Sequence, residues 1–596
     1  MNQELLSPLS YYNSVAKEKH SENVSTFFEG LLSRSGIDTA KNAATVKKYN
    51  AQSEKVNSLN KKLKRLKVLR VFMIIFAVIG FILFLVGANA TEAPPWLRPT
   101  FIAAGLVLAA SMLPLIFLKV NKTVKRFDSV LEKESLALKA LYEEALSEVR
   151  PLLLLFTDFD AQRLVEKTLP DVKFDEQFNL ERFDELTEKY DYAPPLSPDV
   201  SVSDTLSGML GTSPFLYETR KIMVMGSETY HGYRTISWTT MERDSNGRMR
   251  SVRHTDTLHA SVTKPKPSYE TETRLNFGHH AAPKLKFSRA PSHSDDLSER
   301  ALKKKINKGE DKLEKREREA LTDNDPTTNF TKLANSEFEV LLSALDRTDE
   351  QEYRLLYTPL AQTETTKLLL DKDNFGDDFM LIKSGRNNIV ISEHTSRFSL
   401  DARTENYFSH DYSEIKRKFI SYNNEYFKSI YFDFAPLLSI PAYHADNEKS
   451  FEKYINMHTQ NYPTAEYEVL ANRLREPSMI PHGCDTEVIF KARPLNRYGD
   501  VDNAEIVGRG FNAVPRTDLI PVLGGDGRLH TVAVNWLEYL PVEKSTYISV
   551  KRVGLSTDEF YERAGEDLPS GTVYHGLYAA LAEDMKDGAE RVKALL

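Results

Sequence analysis

Two uncharged apolar runs lie close together near the start of this chain, Val71 to Ala90 and Thr100 to Leu118. A helix needs roughly 20 such residues to cross the hydrocarbon core of a bilayer, and both runs come close to that length. Between them lie Glu92, Pro94, Pro95, Trp96 and Arg98. Proline breaks a helix, and tryptophan favours the membrane–water boundary. Residues 71–118 therefore read as a two-span transmembrane hairpin, with spans 71–90 and 100–118. Neither run holds an ionisable side chain, the usual mark of an ion path or proton relay inside a membrane. Gly105 with Ala109, and Gly80 in the first run, are small residues that let helices approach closely.

The flanks set the orientation. Lys61, Lys62, Lys64, Arg65, Lys67 and Arg70 precede the first run, and Lys119, Lys122, Lys125 and Arg126 follow the second. The loop between has Arg98 alone. Basic residues near span ends stay on the cytoplasmic side, so both termini are expected in the cytoplasm of a cell whose inner membrane holds the chain. The same ten residues are the candidate lipid-headgroup contacts, because they sit where anionic headgroups would lie. The first run is not a cleavable signal peptide, since a charged helix-forming segment of about seventy residues precedes it.

Composition fits that placement. The net charge of −7 gives no basic surplus, so nucleic acid is not an expected partner. The single cysteine, Cys484, cannot close an intrachain disulfide, as suits a reducing compartment.

A helical pattern flanks the hairpin on both sides. In 38–70, Val46, Tyr49, Val56, Leu63 and Leu66 recur near three–four spacing, with Ser53 and Asn60 as weak members. In 119–150, Val120, Val124, Phe127, Leu131, Leu138, Leu141, Ala145 and Val149 form a matching stripe that ends at Pro151. Two helices of about 32 residues would each reach roughly 50 Å at 1.5 Å per residue. They read as an antiparallel helical stalk with coiled-coil character. Residues 1–37 precede it as a helical segment whose apolar face is Phe27, Phe28, Leu31 and Leu32.

Beyond the stalk the expected fold is a large strand-rich body, making the whole an α+β membrane protein. Residues 151–212 read as two helices and the linker "APPLSPDVSVSD". Residues 213–290 read as an antiparallel meander of short strands with a turn at Asn246-Gly247. Residues 291–330 hold a charged linker helix, and 331–480 a mixed α/β domain. There "EFEVLLSAL" suits a strand or a helix, and "DFMLIKSGRNNIVISEH" a hairpin turning at Gly385-Arg386. Helices are expected near 413–432, 447–458 and 464–475. Residues 481–556 return to strands, and 557–596 end in a helix near 573–595.

The layout of helix, two-span hairpin and α/β body resembles a bacterial family of uncharacterised membrane proteins sometimes encoded beside LemA-type proteins. The residues that carry the likeness are Phe338, Asp346, Glu352 to Arg354, Leu356, Thr358-Pro359 and Asn388 to Ser392. The resemblance implies a bacterial inner-membrane setting and supplies no catalytic residues.

Motifs with chemistry are scarce. "GGDG" at Gly524 to Gly527 reads as a hairpin turn. "DKDNFGDD" from Asp371 opens like a calcium loop but has Phe375 and Ile382 where oxygen ligands belong. His279-His280 would point to opposite faces of a strand, and His482 with Cys484 lacks the other half of a zinc site. No cofactor or metal is expected, and no catalytic residue stands out. The favoured function is a membrane-anchored scaffold or interaction protein with the lipid bilayer and another protein as partners, self-association being left open. A membrane-tethered enzyme, or a subunit of an oligomeric transport complex, is the alternative.

Overall fold

The computed structural model describes residues 3–89, 97–243, 248–322, 330–445, 462–499, 501–552 and 571–582. The fold is mixed α+β with two large antiparallel sheets. It divides into two compact units, Ser25–Phe156 with Thr404–Tyr422, and Met1–Val24 with Thr157–Arg403 and Asn423–Leu596.

The helical unit is built on a long helix, Thr39–Asn89, of 51 residues. A short apolar helix, Leu97–Pro114, and a π-turn, Leu115–Val120, lead into a return helix, Asn121–Leu153. Pro114 closes the α-helical part because it lacks an N–H, and the chain then widens by a residue. The long and return helices run antiparallel. Asn42 donates to the Ala145 carbonyl at one end, and Lys67 pairs with Asp128 at the other. Val46, Val56 and Leu63 are buried on one side of the seam, and Val124, Ala145 and Val149 on the other. Polar side chains tie the seam as well: Gln52 Nε2 and Lys55 Nζ both donate to Glu134, at 2.6 and 2.7 Å. The return helix continues through Pro151 to Leu153, past the stop expected there, because a proline in the last turn removes few bonds. The preceding helix, Lys17–Ser35, places Phe28 against Phe156 and Phe419.

The strand-rich unit holds both sheets. The first contains β1 (Val172–Phe174), β2 (Val200–Leu210), β3 (Ser213–Arg243), β4 (Met249–Gly278), β5 (Lys286–Arg289), β6 (Phe379–Ser384) and β7 (Asn387–Ser392). Their order is β1-β2-β3-β4-β7-β6-β5. The second contains β8 (Ile489–Tyr498), β9 (Val501–Leu523), β10 (Leu529–Arg552), β11 (Gly571–Tyr574) and β12 (Leu577–Leu581), in the order β11-β12-β10-β9-β8. The helix Thr464–Leu474 packs onto the second sheet and β2 through Tyr467, Leu470, Val202, Phe490, Ile506 and Ile548. Phe434, on the helix Tyr412–Leu438, meets Phe215 and Tyr217 of β3 edge to face.

Three expectations need correction. The short strands expected across 213–290 are two long ones, β3 and β4, paired without a break from Phe215↔Phe277 to Arg243↔Met249. Pro265 and Pro267 do not interrupt β4, because alternate residues turn their nitrogens to the same edge. The Asn246-Gly247 turn lies outside the described residues. The linker "APPLSPDVSVSD" ends inside β2, where serines interleave with the buried Val202, Leu206 and Leu210 and hide the strand. The helix expected from 573 begins as the hairpin β11–β12, turning at His575 and Gly576, both at positive φ. The rest of that expected helix, and the one at 447–458, lie outside the described residues.

Elsewhere local signals prevailed. "EFEVLLSAL" resolves to a helix, Ser336–Leu342, capped by Asn335. The charged helix, Glu299–Thr322, presses Gly309 against Val340.

Beyond the sheets, β3–β4 and β9–β10 continue as two-stranded ribbons whose inner faces pack together. Ile236, Leu258 and Ala260 of one meet Val532 and Val534 of the other. Gly232 is required there, since a Cβ would overlap the Ala533 carbonyl. The "GGDG" segment is the β9–β10 turn: Gly524 N–H donates to the Arg528 carbonyl, and Gly527 takes positive φ.

Candidate functional site

Among the described residues one helix, Thr39–Asn89, is long and apolar enough to cross a membrane, and only 11% of its apolar window is buried. Its outward side chains include Val71, Phe72, Ile75, Phe76, Phe81 and Val86. The second apolar run gives a shorter described stretch, Pro99–Leu108. It packs directly on the long helix. A Cβ on Gly105 would sit 2.6 Å from the Gly80 carbonyl oxygen and the Phe84 nitrogen, so the backbones touch. The side chain of Ala109 is outside the described set.

All ten basic flanking residues are exposed. The lining of one open face divides the first six. Lys61, Lys64 and Lys67 contribute to it with Asn57, Asn60 and Leu63, whereas Lys62, Arg65 and Arg70 do not, although Arg65 is one turn from Lys61. That face is an open groove of about 620 Å³ that continues into Val68, Val71, Phe72 and Ile75. Its described lining belongs to the long helix alone.

The strand-rich unit holds a second feature, a polar cleft of about 460 Å³ over β2, β3 and β4. Asp204, Asp401 and Arg473 meet at its floor. Arg473 Nη2 lies 2.9 Å from Asp401 and 3.4 Å from Asp204. Its guanidinium stacks 3.7 Å from the centre of the Tyr574 ring, whose hydroxyl donates to Asp204 at 2.6 Å. Burial works against the Arg473 charge, but Tyr574, Asp401 and Asp204 outweigh it and raise its pKa. Burial and the Asp401 charge lift Asp204 to about 6. Behind them Glu466 accepts from the Thr205 hydroxyl, and burial pushes its carboxyl up to about 8. Among the described residues, Glu466 Oε2 and Arg473 Nε have no hydrogen-bond partner.

An adjoining cleft shares Arg397 and Phe398 and is bordered by His394. His394 Nδ1 lies 2.6 Å from Asp378, and Nε2 lies 3.1 Å from the Ser429 carbonyl. Both neighbours are acceptors, so both ring nitrogens donate. Burial opposes the charge, yet Asp433 and Asp378 prevail and raise the pKa. Phe375 stacks on the ring at 3.8 Å. An imidazolium held this way orders the loop and has no lone pair to offer as a base.

The sequence's metal candidates are drawn apart. His279 accepts from Ala281 N–H, and burial lowers its pKa to about 4, while His280 packs on Tyr190. Cys484 bonds the Thr486 carbonyl. In the acidic loop Asp371 accepts from Asn374, Asp377 pairs with buried Arg289, and Asp378 turns to His394. Among the described residues no group of three His, Cys, Asp or Glu side chains converges as a metal site requires.

Sequence reasoning missed the cleft. Its members are spread from Asp204 to Tyr574, and the local hint is Arg473 in a helix whose Val469, Leu470 and Leu474 are buried. Comparison with protein-family models, curated proteins and solved structures finds no match for this chain.

Proposed function

We propose that this chain is a membrane-anchored scaffold or interaction protein, carrying an α+β body on a helical stalk above a two-span hairpin. The observation that carries the reading is the exposed apolar half of the long helix. A core helix of a soluble protein is mostly buried, whereas this window is 11% buried. Water would not tolerate so continuous an apolar face, and lipid would. In this reading the spans are 71–90 and 100–118, the stalk is 38–70 with 119–150, and the basic flanks keep both termini in the cytoplasm at the inner membrane. The family resemblance around Phe338 to Ser392 fits the same setting.

A protein partner is supported by the ribbons. β3 beyond Ile222 has lost its β2 neighbour, and β4 before Arg274 has not yet met β7. The β3 edge accepts an added strand, whereas Pro265 and Pro267 blunt the β4 edge. Reporter fusions test the topology: those after Lys67 and Arg126 report cytoplasm, and one at Glu92, outside the described residues, reports the far side. A cytoplasmic signal at Glu92 contradicts the hairpin.

The polar cleft favours a second reading, a tethered ligand-binding protein or enzyme. Buried, incompletely bonded Arg473 and Glu466 are groups that a ligand would satisfy. A small molecule that co-purifies with the protein and is lost in Arg473→Met would move the assignment to that reading.

A further inference from the structure

We propose that the groove at the base of the long helix is a site for a single anionic phospholipid, a role that rests on the membrane reading above. The basic collar as a whole needs no site, because any lysine near an anionic surface gains from it. The structure separates the collar into two sets. Lys61, Lys64 and Lys67 line the groove at spacings of three, within about 9 Å of helix rise at 1.5 Å per residue. Directly below, on the same face, the lining becomes Val68, Val71, Phe72 and Ile75. A ligand filling this groove must be anionic at one end and apolar at the other, with the join at Lys67–Val68. Asn57 and Asn60 add amide donors above the lysines, where a headgroup's outer oxygens would lie. Lys62, Arg65 and Arg70 have equal charge and equal proximity, but they stand over no groove.

Lys67 already lies 3.1 Å from Asp128, an exposed pair. Exposed pairs are weak, so a phosphate competes for that ammonium readily. Lipid in the groove would cover the exposed flank beside the seam where Leu63 is buried.

The matched triplets give the test. Full-length protein is extracted in mild detergent, offered equal phosphatidylglycerol and phosphatidylcholine, and examined by native mass spectrometry. The unaltered protein retains one phosphatidylglycerol in preference to phosphatidylcholine. K61Q/K64Q/K67Q lowers that retention by at least about tenfold, and K62Q/R65Q/R70Q leaves it within about twofold. Val68→Trp, which keeps every charge and fills the apolar half, also loses it. Asp128→Asn frees Lys67 and retains the lipid, so loss of the Lys67–Asp128 pair is not the cause. Equal losses from both triplets, no loss from either, or equal retention of the two lipids overturns the site. Flotation of the same variants with liposomes separates the two failures. Floating protein with indifferent triplets sinks the site alone, and protein that does not float sinks the membrane reading with it.

Discussion

The two units differ in where they leave a continuous apolar surface exposed. In the helical unit the seam buries Val46, Val56 and Leu63, with Asn42 and Gln52 bonding across it, while farther along Val71, Phe72, Phe76, Phe81 and Val86 are exposed. In the strand-rich unit the apolar side chains are inside, and the buried charges are enclosed with their partners: Arg289 with Asp377, Arg347 with Glu339, and Arg473 with Asp401. One arrangement is stable where the surroundings are apolar, and the other where they are water. A buried ion is tolerated only when paired, because desolvation costs several kcal/mol per charge.

The largest expected effect comes from breaking that pairing. Arg473→Met leaves Asp204 and Asp401 facing each other in a site where Arg473 is 7% exposed. The loss is about 3–5 kcal/mol, read as a lowered unfolding midpoint of the full-length protein. Replacing Asp204 by Asn and Asp401 by Asn in the same variant restores part of it. If Arg473→Met unfolds like the parent, the cleft is not held by charge.

Next is the helical unit. Gly105→Leu has no space beside Gly80 and Phe84, and overpacking of this kind costs about 1–3 kcal/mol. Thermal unfolding in detergent should fall accordingly, while Val107→Leu, on an exposed position, should not change it.

The helical unit was the more legible in sequence, for a physical reason. Val71 to Ala90 can be recognised without knowing its neighbours, because lack of charge over that length is itself the constraint. The seam stripe from Val46 to Leu63 is likewise a property of one helix. A strand instead depends on what pairs with it. β2 is rich in serine, and partners distant in sequence make two of its serines buried residues: Asn472 donates to Ser201, and Ser207 donates to Asp175. Gly226 and Gly232 look like breaks in β3, yet Gly232 is there so that the second ribbon can approach. "TVYHGLYAAL" has helix-forming alanines, and His575-Gly576, the turn signal, was outweighed. The cleft was illegible because its charges converge from strand, loop and helix far apart in sequence.

The smallest effect is a pH dependence. Glu466 has its folded pKa raised to about 8 from an ordinary 4.5. Its stabilising effect is complete below pH 4.5 and is lost as pH rises to 8, because the unfolded chain gives up the proton first. Histidines whose pKa burial lowers act oppositely. His20 and His575, lowered by burial to about 4 and about 3, cost stability only as pH falls below 6.5. Between pH 6.5 and 8 the raised His394 adds to the decline and Lys383, lowered by burial to about 7, opposes it, so Glu466 is read from the difference between parent and variant. The unfolding midpoint of the parent should lose more, or gain less, across that range than that of Glu466→Gln. Equal slopes for the two proteins contradict the assignment.

The central claim is that the long helix passes from water into lipid partway along its length. Spin labels on single cysteines, in a Cys484→Ser background reconstituted in liposomes, test it most directly. Labels at Lys47 and Lys62 should collide mainly with a water-soluble nickel chelate. Labels at Phe76, Phe81 and Val86, all exposed, should collide mainly with oxygen dissolved in the bilayer. The account predicts a single crossover between Lys62 and Phe76. Preference for the chelate at all five positions would contradict it.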